Sequence, residues 1–125
     1  MAKKILIADD EENIRELVWV SLEDEGFEIH EAVNGDEALS KARELKPDII
    51  ILDVMMPGKT GYEVCEELKR DPDTSDIFVL FLSARGSFIS EQTGKIKGGN
   101  EYMVKPFEPA ELRKKVKNAL GLKLY

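Results

Sequence analysis

The chain has 125 residues, 42% of them hydrophobic and 34% charged, with 18 Lys plus Arg against 25 Asp plus Glu. That size predicts a single domain over residues 1–125, burying roughly two thirds of the surface its unfolded chain exposes, with no need of a disulfide or metal staple. Cys65 is the only cysteine, no apolar run approaches the ~18 residues of a membrane span, and the net charge of -7 argues against nonspecific nucleic-acid binding. A soluble protein of the reducing cytoplasm is expected, with no membrane insertion and no signal peptide in the short apolar stretch behind Met1-Ala2-Lys3-Lys4. Charge is uneven: residues 1–80 hold 9 basic and 21 acidic side chains, residues 81–125 hold 9 and 4.

The first apolar run, Ile5-Leu6-Ile7-Ala8, reads as a strand. Behind it Ile14, Leu17, Val18 and Leu22 share one helical face, with Gly26 at the position of a helix C-cap. Phe27 to Ala32 is the second strand; Ala38, Ala42 and Leu45 mark the second helix, opened by Asn34-Gly35 and closed by Pro47. Ile49-Ile50-Ile51-Leu52 is the third strand, followed by a helix carrying Val64, Cys65 and Leu68 that stops before Asp71-Pro72-Asp73. The fourth strand runs from Ile77 to Leu82, and its helix, about Ser87 to Lys97, is the weakest because Gly94 interrupts it. Tyr102-Met103-Val104 is the last strand. The last helix opens with Glu108 as cap and Pro109 at its first position, buries Leu112, Val116, Ala119 and Leu120, and is followed by Gly121. Strands 1, 3 and 4 are apolar at consecutive positions, as strands covered on both faces must be. Five strands alternating with five helices therefore predict an α/β fold, a parallel sheet in a three-layer sandwich. Trp19 and Cys65 are expected to be packing residues, and His30 a packed or surface residue rather than a ligand.

Ligands of such sheets sit beyond the carboxyl ends of the strands. The residues there are Asp9-Asp10, Asp53, Ser83-Ala84 and Lys105-Pro106. Each has an ordinary structural explanation: Asp9-Asp10 as first-turn acids of a helix, Asp53 as a loop starter, Ser83 as a turn residue, Lys105 as a solvated lysine. Together they are harder to explain that way. Three like charges within a few ångströms repel one another unless a cation lies among them. Carboxylate oxygens without His or Cys favour a hard ion, and Mg²⁺ typically takes one or two carboxylates, several waters and a phosphate oxygen. An aspartate beside such an ion can attack a phosphoryl group, while Lys105 and the Ser83 hydroxyl meet the phosphoryl oxygens.

At this point the sequence resembles the receiver domain of two-component response regulators. The matching stretches are 4–10, 34–39, 47–57, 82–85 and 102–107, which in order and spacing cover essentially the whole chain. The resemblance implies a doubly wound, flavodoxin-like sheet of strand order 2-1-3-4-5. It implies that Asp53 accepts a phosphoryl group from a sensor histidine kinase or phosphotransfer protein, with Mg²⁺ held by Asp10, Asp53 and the Met55 carbonyl and Asp9 orienting metal-bound water. Ser83 and Lys105 would hold the phosphoryl oxygens, and the Lys105-Pro106 bond would be cis. Ser83 and Tyr102 match switch positions acting on the face of the fourth helix, fifth strand and fifth helix. Lys95, Lys97, Arg113, Lys114, Lys115 and Lys117 gather there, which suits an acidic partner or a salt-bridged homodimer and equally a solvated basic helix; a downstream effector domain or partner protein is expected. Met55 and Arg85, two residues beyond Asp53 and Ser83, are expected to govern phosphoryl lifetime. Gly58-Lys59-Thr60-Gly61 and Gly98-Gly99-Asn100 depart from the commonest family pattern.

Three rival readings differ from this one in chemistry. A mononucleotide carrier of the same fold needs a phosphate cradle after the first strand, where Asp9-Asp10-Glu11-Glu12 would repel phosphate. A haloacid-dehalogenase-type phosphatase places its nucleophile in an Asp-x-Asp motif after that strand, whereas here the two acids are adjacent. A receiver-like binding module without phosphotransfer would have no need of the intact acid set.

Overall fold

A computed structural model of the chain describes residues 2–84 and 98–122. The elements follow in the order β1 (Lys4–Ala8), α1 (Glu12–Leu22), β2 (Glu28–Ala32), α2 (Gly35–Leu45), β3 (Ile49–Asp53), α3 (Gly61–Arg70), β4 (Phe78–Ser83), β5 (Glu101–Val104) and a C-terminal helix (Pro109–Ala119). The helix expected from Ser87 to Lys97, and Arg85, lie outside the described residues. All five strands pair in parallel in the order β2-β1-β3-β4-β5. This is the doubly wound sheet that the resemblance implied.

The period-2 alternation of each strand sorts the core into two halves. Leu6, Ala8, Ile50, Leu52, Val79 and Phe81 pack with α2 and α3 on one face. Ile5, Ile7, Ile49, Ile51, Leu80 and Leu82 pack with α1 and the C-terminal helix on the other. Every residue of β3 is buried, which explains its unbroken apolar run; β2, at the edge, is mostly exposed or half-buried. Phe81 also meets Tyr62 of α3 edge-on, ring centroids 5.1 Å apart.

Local chemistry sets the helix ends. The Asn34 side chain accepts from the Glu37 amide at 2.8 Å and opens α2. Thr60 and Glu63 form a reciprocal capping box that opens α3, so one of the two stretches departing from the family pattern has a structural task. The other does as well. Asn100 accepts from the Val79 amide at 2.8 Å, and the half-buried Lys69 ammonium donates to the carbonyls of Ser75 and Ile77, closing the amino-terminal end of β4 against β5.

Several expectations need correction. Trp19 is 40% exposed: its neighbour Val18 points into the core, and one step along a helix turns the next side chain about 100° away. Glu108 occupies the N-cap position of the C-terminal helix but makes no side-chain cap, because its longer side chain does not place an oxygen on the first-turn amides. Gly26, at φ 78°, ends not α1 itself but a short 3-10 turn, Glu23–Glu25, that continues it. His30 pairs with Glu28 at 2.8 Å, in line with a surface role.

Gly61 is the tightest backbone approach near the strand ends. A Cβ there would stand 2.3 Å from the Asp53 carbonyl oxygen. The chain after β3 must therefore turn against its own strand, and only glycine permits it. Gly61→Ala is expected to lower the unfolding free energy by about 1–3 kcal/mol in urea titration, the usual cost of forced overpacking. Gly26→Ala serves as a control: nothing lies within 4 Å of its Cβ position, so only the positive φ penalises it.

Candidate functional site

Parallel strands bring all their carboxyl ends to one edge. Asp9 follows β1, Asp53 ends β3, Ser83 ends β4 and Lys105 follows β5. The Lys105 ammonium reaches back across the sheet to lie 2.8 Å from Asp9 Oδ2 and 3.4 Å from both Asp53 Oδ1 and Glu11 Oε1. The Lys105-Pro106 bond is cis, as the resemblance implied, and the Lys105 amide donates to the Ser83 carbonyl at 2.8 Å. With its side chain only 9% exposed, this lysine is not a solvated surface charge.

Asp9 and Asp53 are buried, and Asp10 is exposed at the rim. Each of the three offers a carboxylate oxygen, and these oxygens lie within 4.8 Å of one another. Asp9 Oδ2 is fully enclosed and faces the Lys105 ammonium at 2.8 Å. An all-oxygen donor set of three carboxylates fits a hard divalent cation such as Mg²⁺. Asp9 and Asp10 are not first-turn acids of α1, because the helix begins at Glu12 with Glu11 as its cap residue. Instead Asp9 Oδ1 accepts from the Glu11 amide at 2.9 Å, a local turn that presents both acids.

Burial, reinforced by the negative Asp9, pushes the Asp53 carboxyl up to about 7, against the opposing pull of Lys105 and the Met55 amide. Burial disfavours the charged form of Lys105, yet its contact with Asp9 and the charges of Asp53 and Glu11 outweigh that and raise its pKa above the ordinary lysine value. The Met55 amide lies 3.4 Å from Asp53 Oδ1, while the Met55 side chain is turned outward, the residue being 63% exposed. Ser83 is buried at the end of β4, and Tyr102 in β5 packs half-buried against the α2–α3 half of the core. Cys65 is buried and its thiol pushed up to about 11 by that burial, which leaves it unreactive.

Two residues of the site escaped the sequence reading. Glu11 is a third carboxylate against Lys105, and the acidic run Asp9-Asp10-Glu11-Glu12 was its only signal. Arg15 donates from Nη1 to the Asp9 carbonyl and from Nε to Glu31, each at 2.9 Å. It is the only Lys or Arg between Lys4 and Lys41. On the basic face, Lys115 and Lys117 lie against Glu101 and Glu25 of the same chain at 3.7 and 2.9 Å, and Arg113 donates to the Ser21 carbonyl.

A raised carboxyl pKa has a fixed sign in stability. The folded state holds the Asp53 proton more tightly than the unfolded chain, so the contribution is present below pH ~4 and is lost as pH rises through about 7. In chelator at pH 8, Asp53→Asn is therefore expected to be more stable than the parent, by up to on the order of 3 kcal/mol. The gain should shrink toward zero near pH 4. Denaturant titrations at the two pH values check this, and an equal gain at both would contradict it.

The model of the response regulator receiver domain family matches residues 5–117. The phosphate regulon transcriptional regulatory protein PhoB of Rhizobium meliloti (strain 1021) is 40% identical over 120 residues, which are 96% of this chain and 53% of that protein. The chain thus spans about half the length of the curated relatives it matches. A putative response regulator from Chloroflexus aurantiacus J-10-fl superposes with a TM-score of 0.92 at 36% identity, covering 97% of this chain and 99% of that one. The chemotaxis protein CheY4 of Vibrio cholerae gives 0.89 at 35%, covering 95% and 99%. Among the described residues no helix is long and apolar enough to cross a membrane. With its fold and the full length of its sequence pattern in agreement, the chain belongs to the receiver domains of two-component response regulators.

Proposed function

We propose that residues 1–125 act as one phosphoacceptor receiver, in which Asp53 takes a phosphoryl group from a sensor histidine kinase or phosphotransfer protein. The observation that carries this reading is the meeting of Asp9, Asp10 and Asp53 with the Lys105 ammonium at one sheet edge. A carboxylate oxygen of Asp53 attacks phosphorus, the donor's phosphorus–nitrogen bond breaks, and an acyl phosphate forms on the aspartate. Lys105 and the Ser83 hydroxyl meet the equatorial oxygens. Mg²⁺, when bound, supplies positive charge between the carboxylates and the phosphoryl group; Asp10, Asp53 and the Met55 carbonyl would hold it, with Asp9 orienting its water. The same groups would let the domain catalyse its own phosphorylation and dephosphorylation.

The output is proposed to pass through Ser83 and Tyr102 to the face of the expected fourth helix, β5 and the C-terminal helix. A hydroxyl drawn toward phosphoryl oxygens by a charge-assisted bond leaves space behind it, into which the half-buried Tyr102 ring repacks. That face would meet an effector domain, a partner protein or a second copy. Because Lys115 and Lys117 already have acidic neighbours within the chain, the exposed Lys114 is the base of the C-terminal helix best placed for an acidic partner.

Mass spectrometry after incubation with acetyl phosphate and Mg²⁺ is expected to show one added phosphoryl group, absent in Asp53→Ala and after chelation. Equal labelling of the alanine variant would remove Asp53 from its role. Lifetime follows from Met55, an apolar side chain at the mouth of the site that is a poor holder of an attacking water. In Met55→Asn combined with Arg85→Glu, an amide and a carboxylate can orient that water, so phospho-Asp53 should be lost severalfold faster than in the parent. An unchanged or slower rate would refute the assignment.

A further inference from the structure

Two of the three clustered carboxylates, Asp9 and Asp10, hang from one short turn between β1 and α1, so whatever fixes that turn fixes the site. The Asp9 amide donates to the Ala32 carbonyl of β2 at 3.1 Å, and Asp9 Oδ1 accepts from the Glu11 amide. Neither bond fixes the plane of the peptide joining Asp9 to Asp10. That plane is held through its carbonyl, by Arg15 Nη1 at 2.9 Å. The guanidinium is itself aimed by Glu31 of β2 at 2.9 Å, is 14% exposed, and springs from the first turn of α1, where its amide donates to the Glu11 carbonyl. The Glu31 carbonyl in turn accepts from Lys41 of α2. A chain of bonds therefore runs from α2 through the edge strand and α1 to the acid turn.

We propose that Arg15 is a positioning residue that sets the cation affinity of the acid turn by holding the Asp9 carbonyl, with Glu31 aiming it. The inference rests on the reading of this turn as part of a Mg²⁺ site. Its sign separates it from simple charge effects. A positive guanidinium beside a cation site repels the cation, so on charge alone its removal would tighten Mg²⁺ binding. If Arg15 instead holds the Asp9-Asp10 peptide, its removal frees Asp10 to turn away, and binding weakens. Groups hydrogen-bonded to a metal ligand commonly change affinity by about 10–100-fold, and Arg15, which acts on Asp10 through the Asp9-Asp10 peptide, belongs at the low end of that range.

The test is calorimetric titration of the intact chain with Mg²⁺ alone, for the parent, Arg15→Ala, Arg15→Lys and Glu31→Gln, with circular dichroism melts run alongside. Arg15→Ala is expected to raise the Mg²⁺ Kd about tenfold. Glu31→Gln should raise it less. Arg15→Lys keeps the charge and the stem but lacks the fork that reaches both acceptors, so it too should weaken binding, and it serves if the alanine variant does not fold. Phosphorylation by acetyl phosphate should return to the parental rate at saturating Mg²⁺, because Arg15 touches no reacting atom. Unchanged or tighter Mg²⁺ affinity in folded Arg15→Ala or Arg15→Lys, with a parent that binds, overturns the positioning role and leaves the cation site standing. A parent that shows no Mg²⁺ binding overturns both.

Discussion

A single ammonium among several carboxylates governs the shape of this molecule's working edge. Asp9 and Asp53 are both withdrawn from water, and Lys105 is the cation that the described residues place between them. Burying charge is expensive unless partners compensate, and here one positive group faces two buried negative ones and a third at the rim, Glu11. Burial, reinforced by the negative Asp9, leaves Asp53 holding its proton to about pH 7. The sheet holds this cluster together, and its excess of carboxylates over ammonium groups is the chemistry that suits a further cation.

The sheet can bear this because its interior leaves little freedom. β3 is buried along its whole length between two helical layers, and close packing on both faces fixes the position of its last residue, Asp53. The turn after it is held by contacts that admit few substitutes: Gly61 against the Asp53 carbonyl, then the Thr60–Glu63 box. At the opposite end of the sheet the Lys69 ammonium and the Asn100 side chain close β4 against β5. The clustered carboxylates stand at the carboxyl edge, where ligands of doubly wound sheets bind.

The uneven charge along the sequence becomes a spatial pattern as well. The acids of the first 80 residues supply the cluster and much of α1, including Glu12 and Glu16 beside the exposed Trp19 and Val20. The bases of the C-terminal helix are partly absorbed by neighbours, Lys117 by Glu25 and Lys115 by Glu101, while Arg113 ties that helix to α1. These pairs join elements on one face of the sheet, so part of the apparent basic surface is internal bracing.

Strand and helix periodicity, together with the turn residues, determined the layered α/β class, because burial on one or both faces writes its period directly into the sequence. The chemistry at the strand ends was also legible: Asp9, Asp10, Asp53, Ser83 and Lys105 each follow an apolar run at the same end of a parallel strand. Family resemblance, rather than periodicity, supplied the order of the strands and the cis bond before Pro106. Hidden from the sequence were Arg15 and Glu11, whose partners lie across a turn or on another strand, and the outward turn of Trp19, which a one-residue rotation decides. Tertiary structure alone fixed those, since a hydrogen bond from Arg15 to the Asp9 carbonyl depends on the register of β1 with β2 and on the entry angle of α1. Composition and spacing can name the groups that carry charge, but only packing determines which of them meet.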